Sequence, residues 1–312
     1  MSVKRNQDKH PSRRDVLAAG AGLGALTVVG CGDSGGSDDR DGGGPSVDGD
    51  VPDLGPIEVS AALWQTMSAY VRASADGAIG TRFNLYNPAS VPQRVVIQIL
   101  TKNGQLVARD ISMEALAPER STHIDLGEFL TQHQVPLPFE GSAWIGTTPE
   151  SGQVFMGLQG ITFDWYGPAH LATVHGMRDF GNSNHDGMWS DLILPKVTAG
   201  PRFVSKVAVL NGSGDGVSEA LIARPELIIR DDAGVELVRT TLDDIQPYCL
   251  TLVDIAEVLD GATLTAGSIQ IREPFAGVIA TGFVCDTDND GFASADHFFD
   301  RHFVVDSTGF TG

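Results

Sequence analysis

An internal duplication constrains the fold of this chain more than any other feature of its sequence. Six sequence blocks recur in the same order at a spacing of about 125 residues, which indicates one structural unit used twice. Trp64 begins the first copy and Trp189 begins the second. The other matched blocks are 81–87 with 205–211, 95–104 with 227–234, 122–130 with 251–259, 141–145 with 267–271, and 154–157 with 278–281.

The blocks have the composition and spacing of antiparallel β-strands. They are short, alternate apolar with polar residues, and are rich in Val, Ile, Thr and Phe. Gly, Asn, Asp or Pro separates them at intervals of about ten residues, which is typical of sandwiches and barrels. We therefore predict an all-β chain in which each unit is an antiparallel β-sandwich of about seven strands. Asn103-Gly104 predicts a two-residue hairpin with positive φ at both positions.

One block in each unit predicts a short helix between strands. In the first unit Thr122 or Asp125 can cap the first helical turn, and in the second unit Thr251 or Asp254 can do so. Acidic residues follow where the helix dipole favours them. Each predicted helix has one or two turns and bridges the two sheets of its unit.

This pattern resembles the immunoglobulin-like modules that are common in secreted bacterial proteins. The resemblance covers residues 58–312 and concerns architecture alone, because no motif in it specifies a ligand. It implies two tandem immunoglobulin-like domains at 58–165 and 189–312. The aromatic and polar segment 166–188 is predicted to be a long inter-domain loop, and such loops are often functional or pack domains together.

The first 31 residues predict export and attachment to a lipid. Residues 1–31 have a charged start, an apolar run too short to span a bilayer, and small residues at their end. The string SRRDVL resembles a twin-arginine signal and VVGC resembles a lipobox. These resemblances imply that Arg13 and Arg14 direct export and that Cys31 becomes a diacylated N-terminus. A simple cleaved signal followed by an incidental cysteine is the alternative.

The segment after the cysteine predicts a tether. Residues 32–57 form a flexible linker of Gly, Ser, Asp and Pro, which cannot offset the entropy cost of ordering itself. In the lipoprotein family, Gly32 in place of Asp implies the outer membrane if the organism is Gram-negative. We therefore expect a protein that is lipid-anchored to the outer membrane or cell envelope and faces the periplasm or the cell surface.

Charge excludes one class of partner. The chain has 21 Lys and Arg residues against 40 Asp and Glu residues, for a net charge of −19. Nucleic-acid binding needs cationic surface against phosphate, so no nucleic-acid partner is expected. No pattern brings a nucleophile, a base and a pocket together, so we assign no catalytic residue and predict no enzyme.

The acidic string near the C-terminus is a candidate metal site. Asp286, Asp288 and Asp290 occupy alternate positions before Gly291, an arrangement that can wrap carboxylate oxygens around Ca²⁺. Asp296 is a further acid nearby. The alternative is a solvated Asp-Gly hairpin without an ion. A structural calcium ion is the one cofactor that the sequence offers.

Histidines and cysteines leave two further questions open. Cys249 and Cys285 lie in apolar strands of the second unit, where they form either a disulfide bond or two buried thiols. Five histidines could converge on a transition metal, but their spacing favours scattered, partly exposed side chains. They are His170, His175, His185, His297 and His302.

These features favour a non-enzymatic function at the membrane. The leading hypothesis is a binding, adhesion or structural module whose ligand is a protein or a carbohydrate. The alternative is an accessory, non-catalytic subunit of an exported enzyme complex, since the twin-arginine route carries folded cargo. A third hypothesis is an enzyme whose site lies between segments 164–188 and 286–302.

Replacing the lipidated cysteine tests the anchor. Cys31→Ala is expected to move the protein from the membrane fraction to the soluble fraction, because the acyl chains supply the membrane affinity. Cell fractionation and immunoblotting measure the distribution, with Cys285→Ala as the control that stays in the membrane. Retention of Cys31→Ala in membranes would contradict the lipid anchor.

Overall fold

The computed structural model describes residue 54 and residues 64–110, 115–149, 160–175, 177–178, 190–212, 221–273, 277–289 and 291–300. In these ranges the chain forms antiparallel strands and two short helices, which confirms the all-β prediction. The first repeat contains β1 Trp64–Ala73, β2 Gly80–Tyr86, β3 Gln93–Thr101, β4 Leu106–Asp110, β5 Ser121–Asp125, α1 Leu126–Gln132, β6 Phe139–Pro149, β7 Gly160–Tyr166, β8 Leu171–His175 and β9 Met177–Arg178. The second repeat contains β10 Ser190–Ala199, β11 Phe203–Asn211, β12 Glu226–Asp231, β13 Glu236–Thr241, β14 Leu250–Asp254, α2 Ile255–Val258, β15 Leu264–Glu273, β16 Val278–Asp286, β17 Gly291–His297 and β18 Phe299–Asp300.

The two repeats have the same strand order, so the duplication is a property of the fold. The first sandwich pairs a sheet of order β4-β3-β6-β1-β9 with a sheet of order β5-β2-β7-β8. The second repeats this as β13-β12-β15-β10-β18 and β14-β11-β16-β17, and its two sheets join at the pair Ala199 and Val204. Each repeat thus has nine described strands where about seven were predicted.

A buried asparagine occupies the same place in each repeat and ties three segments together. Asn87 Nδ2 donates to the carbonyl oxygens of Val91 and Leu116 at 3.0 and 2.8 Å. Asn211 Nδ2 donates to the carbonyl oxygens of Leu221 and Ile245 at 2.7 and 2.8 Å. Both asparagine side chains are fully buried, so their amide groups satisfy backbone carbonyl oxygens that water cannot reach.

The predicted helices are present and begin at the predicted caps. Asp125 accepts hydrogen bonds from the first backbone amides of α1, and Asp254 does so for α2. The hairpin prediction at Asn103-Gly104 was wrong in its turn type. Only Gly104 has positive φ, and the Thr101 amide donates to Gln105, which makes a three-residue loop.

The predicted inter-domain loop is shorter than expected, because its first part completes the first sandwich. Strand β8 pairs with β7, and β9 pairs with β1, so residues up to 178 belong to the first repeat. Strand register also corrects one matched block. Gly160 pairs with Tyr86 in the first repeat and Ile279 pairs with Leu210 in the second, so Gly160 and Ile279 are equivalent positions. The match of 154–157 with 278–281 was therefore misplaced by about five residues; residues 154–157 themselves lie outside the described ranges.

The two sandwiches pack against each other through aromatic rings. Tyr70 and Trp165 of the first repeat contact Phe283 of the second, with ring centroids 5.6 and 4.9 Å apart. Trp144 meets Tyr248 at 5.5 Å. The hydrophobic cluster of the first sandwich consequently extends across the junction into the second repeat. Neither described helix has the length and apolar character that crossing a bilayer requires.

Removing the buried amide tests this account of the repeated unit. Asn211→Ala is expected to lower the free energy of unfolding by about 1–3 kcal/mol, because buried carbonyl oxygens lose their donor. Asn103→Ala, at an exposed turn, is the matched control and should change the free energy of unfolding by less than about 0.5 kcal/mol. Urea unfolding followed by tryptophan fluorescence measures both. Equal stability of the two variants would contradict a structural role for the amide.

Candidate functional site

Equivalent sheet faces of the two repeats have opposite chemistry. The outer face of β14-β11-β16-β17 is largely apolar and packs on the first sandwich. Lys206 and Asp254 form an ion pair of 3.3 Å at one end of this face, and Thr281 is also polar. Its apolar residues are Ala208, Leu210, Leu250, Leu252, Ile279, Phe283, Cys285, Phe292 and Ala295. The outer face of β5-β2-β7-β8 in the first repeat is polar instead. We call it the polar face; it consists of Arg82, Asn84, Tyr86, Ser121, His123, Asp125, Thr162, Asp164, Tyr166, Leu171 and Thr173.

Strand alternation produces this face. In β2 the residues Phe83 and Leu85 are buried in the core, which directs the side chains of Arg82, Asn84 and Tyr86 outward. Tyr86 keeps 42% of its surface exposed. A sequence pattern of alternating residues could therefore locate the face, but not show that it stays uncovered.

The centre of the polar face is ordered by hydrogen bonds between side chains. Asn84 Nδ2 donates to Asp164 Oδ2 at 2.7 Å and to Thr162 Oγ1 at 3.2 Å. Thr173 Oγ1 donates to Asp164 Oδ1 at 2.7 Å. The register places Asn84 beside Thr162 and Asp164 beside Thr173, so the network runs across three neighbouring strands.

One end of the polar face opens into a cleft of about 570 Å³ between the β1–β2 loop and α1. Tyr166 lies at this end and donates from its hydroxyl to Asp125 Oδ2 at 2.7 Å. Burial, together with this bond, raises the pKa of Tyr166 to about 12. The guanidinium of Arg82 lies over the Tyr166 ring at 5.6 Å. A Cβ at Gly80 would clash with the phenol, so glycine there lets the ring lie across the strand.

A second polar cluster, at the junction of the repeats, surrounds the carboxylate of Asp286. Its oxygens accept from His170 Nε2 at 2.8 Å, from Arg202 Nη2 at 3.2 Å and from Asn289 Nδ2 at 2.8 Å. The backbone amide of Asp288 donates at 3.1 Å. Arg202 first, then His170 and Asn289, hold the pKa of Asp286 well below its usual range. The carboxylate is therefore ionised at neutral pH and is a poor general base.

This cluster brings together residues of segments 164–188 and 286–302, between which the enzyme hypothesis placed an active site. The contacts there hold the two repeats together. His170 comes from the loop before β8 and Asp286 from the end of β16. Since an ionised carboxylate only accepts hydrogen bonds, His170 Nε2 carries the proton. The pair therefore joins the two sandwiches beside the aromatic contact.

The structure separates the residues of the candidate calcium loop. Asp286 is already bonded as described, and Asp288 is exposed beside Arg202 at 3.4 Å. Asp296 stands opposite Gly282, four residues from Asp286 along β16, which is about 13 Å. Including Asp296 in the loop was therefore wrong. Asp290 lies outside the described residues, and calcium binding by the rest of the loop stays a prediction.

Of the two alternatives for Cys249 and Cys285, the disulfide bond between them is not formed. The thiol of Cys285 is not part of a disulfide. The backbone N–H of Asn211, at one end of β11, donates to the carbonyl oxygen of Cys249, whereas Cys285 pairs with Val204 near the other end. Seven residues of strand span about 23 Å, far beyond the ~7 Å between Cα atoms that a disulfide tolerates.

The remaining predicted residues are not brought together by the described structure. In the described ranges no three His, Cys, Asp or Glu side chains are grouped as a metal site would require. The side chains of His175 and His297, and all of His185 and His302, lie outside the description. Arg13, Arg14 and Cys31 also lie outside it, so export and lipidation stay predictions from the sequence.

Comparison with known proteins does not identify a family. No protein-family model and no curated protein matches the chain. Two solved structures of a glycosyl hydrolase family 2 member from Bacteroides cellulosilyticus, one of strain DSM 14838, share 10% identity with it at a TM-score of 0.18. The matches cover 76% of this chain but 28% and 26% of those chains, so it spans about a quarter of their length. A TM-score this low supports no inference about this chain.

Neutralising the junction carboxylate tests its structural role. Asp286→Asn is expected to lower the thermal midpoint by several degrees at pH 7, because the bonds from Arg202 and His170 lose their ionic partner. The folded-state pKa lies below the unfolded value, so this contribution is present above about pH 4 and lost as pH falls toward the folded pKa. The difference between wild type and variant should therefore shrink below about pH 4.

Asp288→Asn is the matched control in the same turn, because its carboxylate is 65% exposed. Scanning calorimetry between pH 3 and pH 7 should show little change for it. If the two variants behave alike at every pH, Asp286 does not join the repeats.

Proposed function

We propose that this protein is an exported, lipid-anchored, non-enzymatic binding module of the cell envelope, with the polar face as its binding surface. The observation that carries the proposal is the contrast between equivalent faces. The second repeat uses its face to pack on the first, whereas the first repeat presents an ordered, polar and exposed face. The fold tolerates either chemistry, so the polar face is not a requirement of the sandwich.

The predicted export signal and tether indicate where this surface would lie relative to the membrane. Residues 1–31 carry the twin-arginine and lipobox resemblances, and residues 32–57 form the linker that precedes the first repeat. A tether of about 25 residues has a root-mean-square reach of about 25–30 Å. The polar face would then stand clear of the lipid headgroups and meet ligands in the surrounding space.

The described titratable groups support a binding role over a catalytic one. Asp125 caps α1 and accepts from Tyr166, and Asp286 joins the repeats. Glu140 accepts from Tyr70 and Lys102. Each of these carboxylates has structural partners that fix its position.

Photo-crosslinking tests the binding surface in intact cells. Tyr86→p-benzoylphenylalanine is expected to give a covalent product on irradiation, because position 86 is exposed beside the Asn84 network. Leu237 of β13, a strand of the second repeat, is 45% exposed and provides the control position. Mass shifts on immunoblots measure the products.

A product at position 86 that is absent at position 237 would support the proposal. Products of equal yield at both positions, or none at position 86, would overturn it. A product containing an enzyme subunit would favour the accessory-subunit alternative.

A further inference from the structure

The polar face carries almost balanced charge on a strongly acidic protein. Its formal charges are the cation Arg82 and the anions Asp125 and Asp164, whereas the whole chain has a net charge of −19. A polyanion is repelled by the molecule as a whole, and a polycation has no reason to prefer this face. Selectivity here must come from hydrogen bonds and ring contacts, which suits an uncharged ligand.

The hydrogen-bonding groups at the centre are fixed and only partly used. Among the described side chains, both hydrogen bonds donated by the Asn84 amide go to Asp164 and Thr162, and its Oδ1 is an oriented acceptor. Within the same set of side chains each oxygen of Asp164 accepts one bond, so two of about four acceptor sites remain. Hydroxyl groups both donate and accept, and a ligand rich in them can satisfy this array.

Two tyrosines bound the array. Tyr86 is exposed at one end, and Tyr166 lies at the other, opposite Gly80. Six residues of strand separate these ends, a span of about 20 Å. Tyrosine offers a flat apolar ring together with a polar hydroxyl, which matches a ring that is apolar on its C–H face and hydroxylated at its edge.

From these observations we infer that the ligand of the polar face is an uncharged polysaccharide. The inference rests on the proposed function, since it names the ligand class of the same surface. A protein partner would fit less well, because binding hot spots are desolvated pockets for aromatic and aliphatic anchors. The centre of this face, at Asn84 and Asp164, is polar and already hydrogen-bonded.

Affinity electrophoresis of the full-length lipidated protein in detergent tests the ligand class. Gels contain a neutral β-glucan, xylan or galactomannan, the polyuronate alginate, or the polycation chitosan. At least one neutral polysaccharide should retard the protein more than alginate or chitosan does. Tyr86→Ala and Asn84→Ala should weaken that binding at least about ten-fold, because each removes a contact worth more than ~1.4 kcal/mol.

Two control variants separate binding from folding. Tyr86→Phe keeps the ring and should bind within about three-fold of wild type, since the ring supplies most of the contact. Leu237→Ala changes an exposed residue of β13 in the second repeat and should bind as wild type does. Thermal midpoints of all variants show that the fold is intact.

The outcomes distinguish this inference from the proposed function. Neutral polysaccharide binding that both Ala variants weaken supports it. Binding that survives both variants, or stronger binding to alginate or chitosan, overturns it. If no neutral polysaccharide binds while position 86 crosslinks to a protein in cells, the polar face is a binding surface for protein and only the polysaccharide inference is wrong.

Discussion

The apolar contact between the second repeat and the first is the interaction on which the architecture depends. Phe283 and Phe292 stack at 4.4 Å on the outer face of their sheet, where a solitary sandwich would leave them in water. Burying large aromatic side chains contributes about 1.5–3 kcal/mol each, so this face stabilises the pair of repeats only when it is covered. Tyr70, Trp144 and Trp165 supply the cover from the first repeat.

That contact explains how the copies diverged. Trp144 and Gln270 occupy equivalent positions. Trp144 pairs with Gln98 in the first repeat, and Gln270 pairs with Ile228 at the matching position of the second repeat. Trp144 is covered by the second repeat, whereas Gln270 bonds to Asp191 and Arg230 in a polar network. Gln270 is also buried, with 2% of its surface exposed, so the second repeat fills this position with a hydrogen-bonded polar network where the first repeat has an aromatic contact. The polar face of the first repeat likewise carries an ordered network, which joins Asn84, Asp164 and Thr173.

The sequence predicted the elements better than their contacts. Matched blocks located the duplication, the strands and the capping residues Asp125 and Asp254, because local patterning determines each of these. The register between strands was harder to predict, and the errors over Asp296 and segment 166–178 both arose from it. Alternation shows which side of a strand a residue occupies, but not which strand lies beside it or what covers the sheet. The polar face was missed for this reason: Asn84 and Ala208 both read as outward positions, and only packing separates a ligand surface from a domain junction.

Rigidity of the junction bears directly on binding at the polar face. The bond from His170 to Asp286 and the aromatic contact join the repeats, and Arg202 of the second repeat holds the Asp286 carboxylate in place beside the apolar centre. Trp165 belongs to β7, the strand that also carries Asp164, so the junction supports the sheet from its inner side. A single hydrogen bond contributes only about 0.5–1.5 kcal/mol net, and ordering a side chain costs a similar amount. A ligand held mainly by hydrogen bonds therefore gains most from groups that are already fixed, and the duplicated sandwich fixes them by using one repeat as the support for the other.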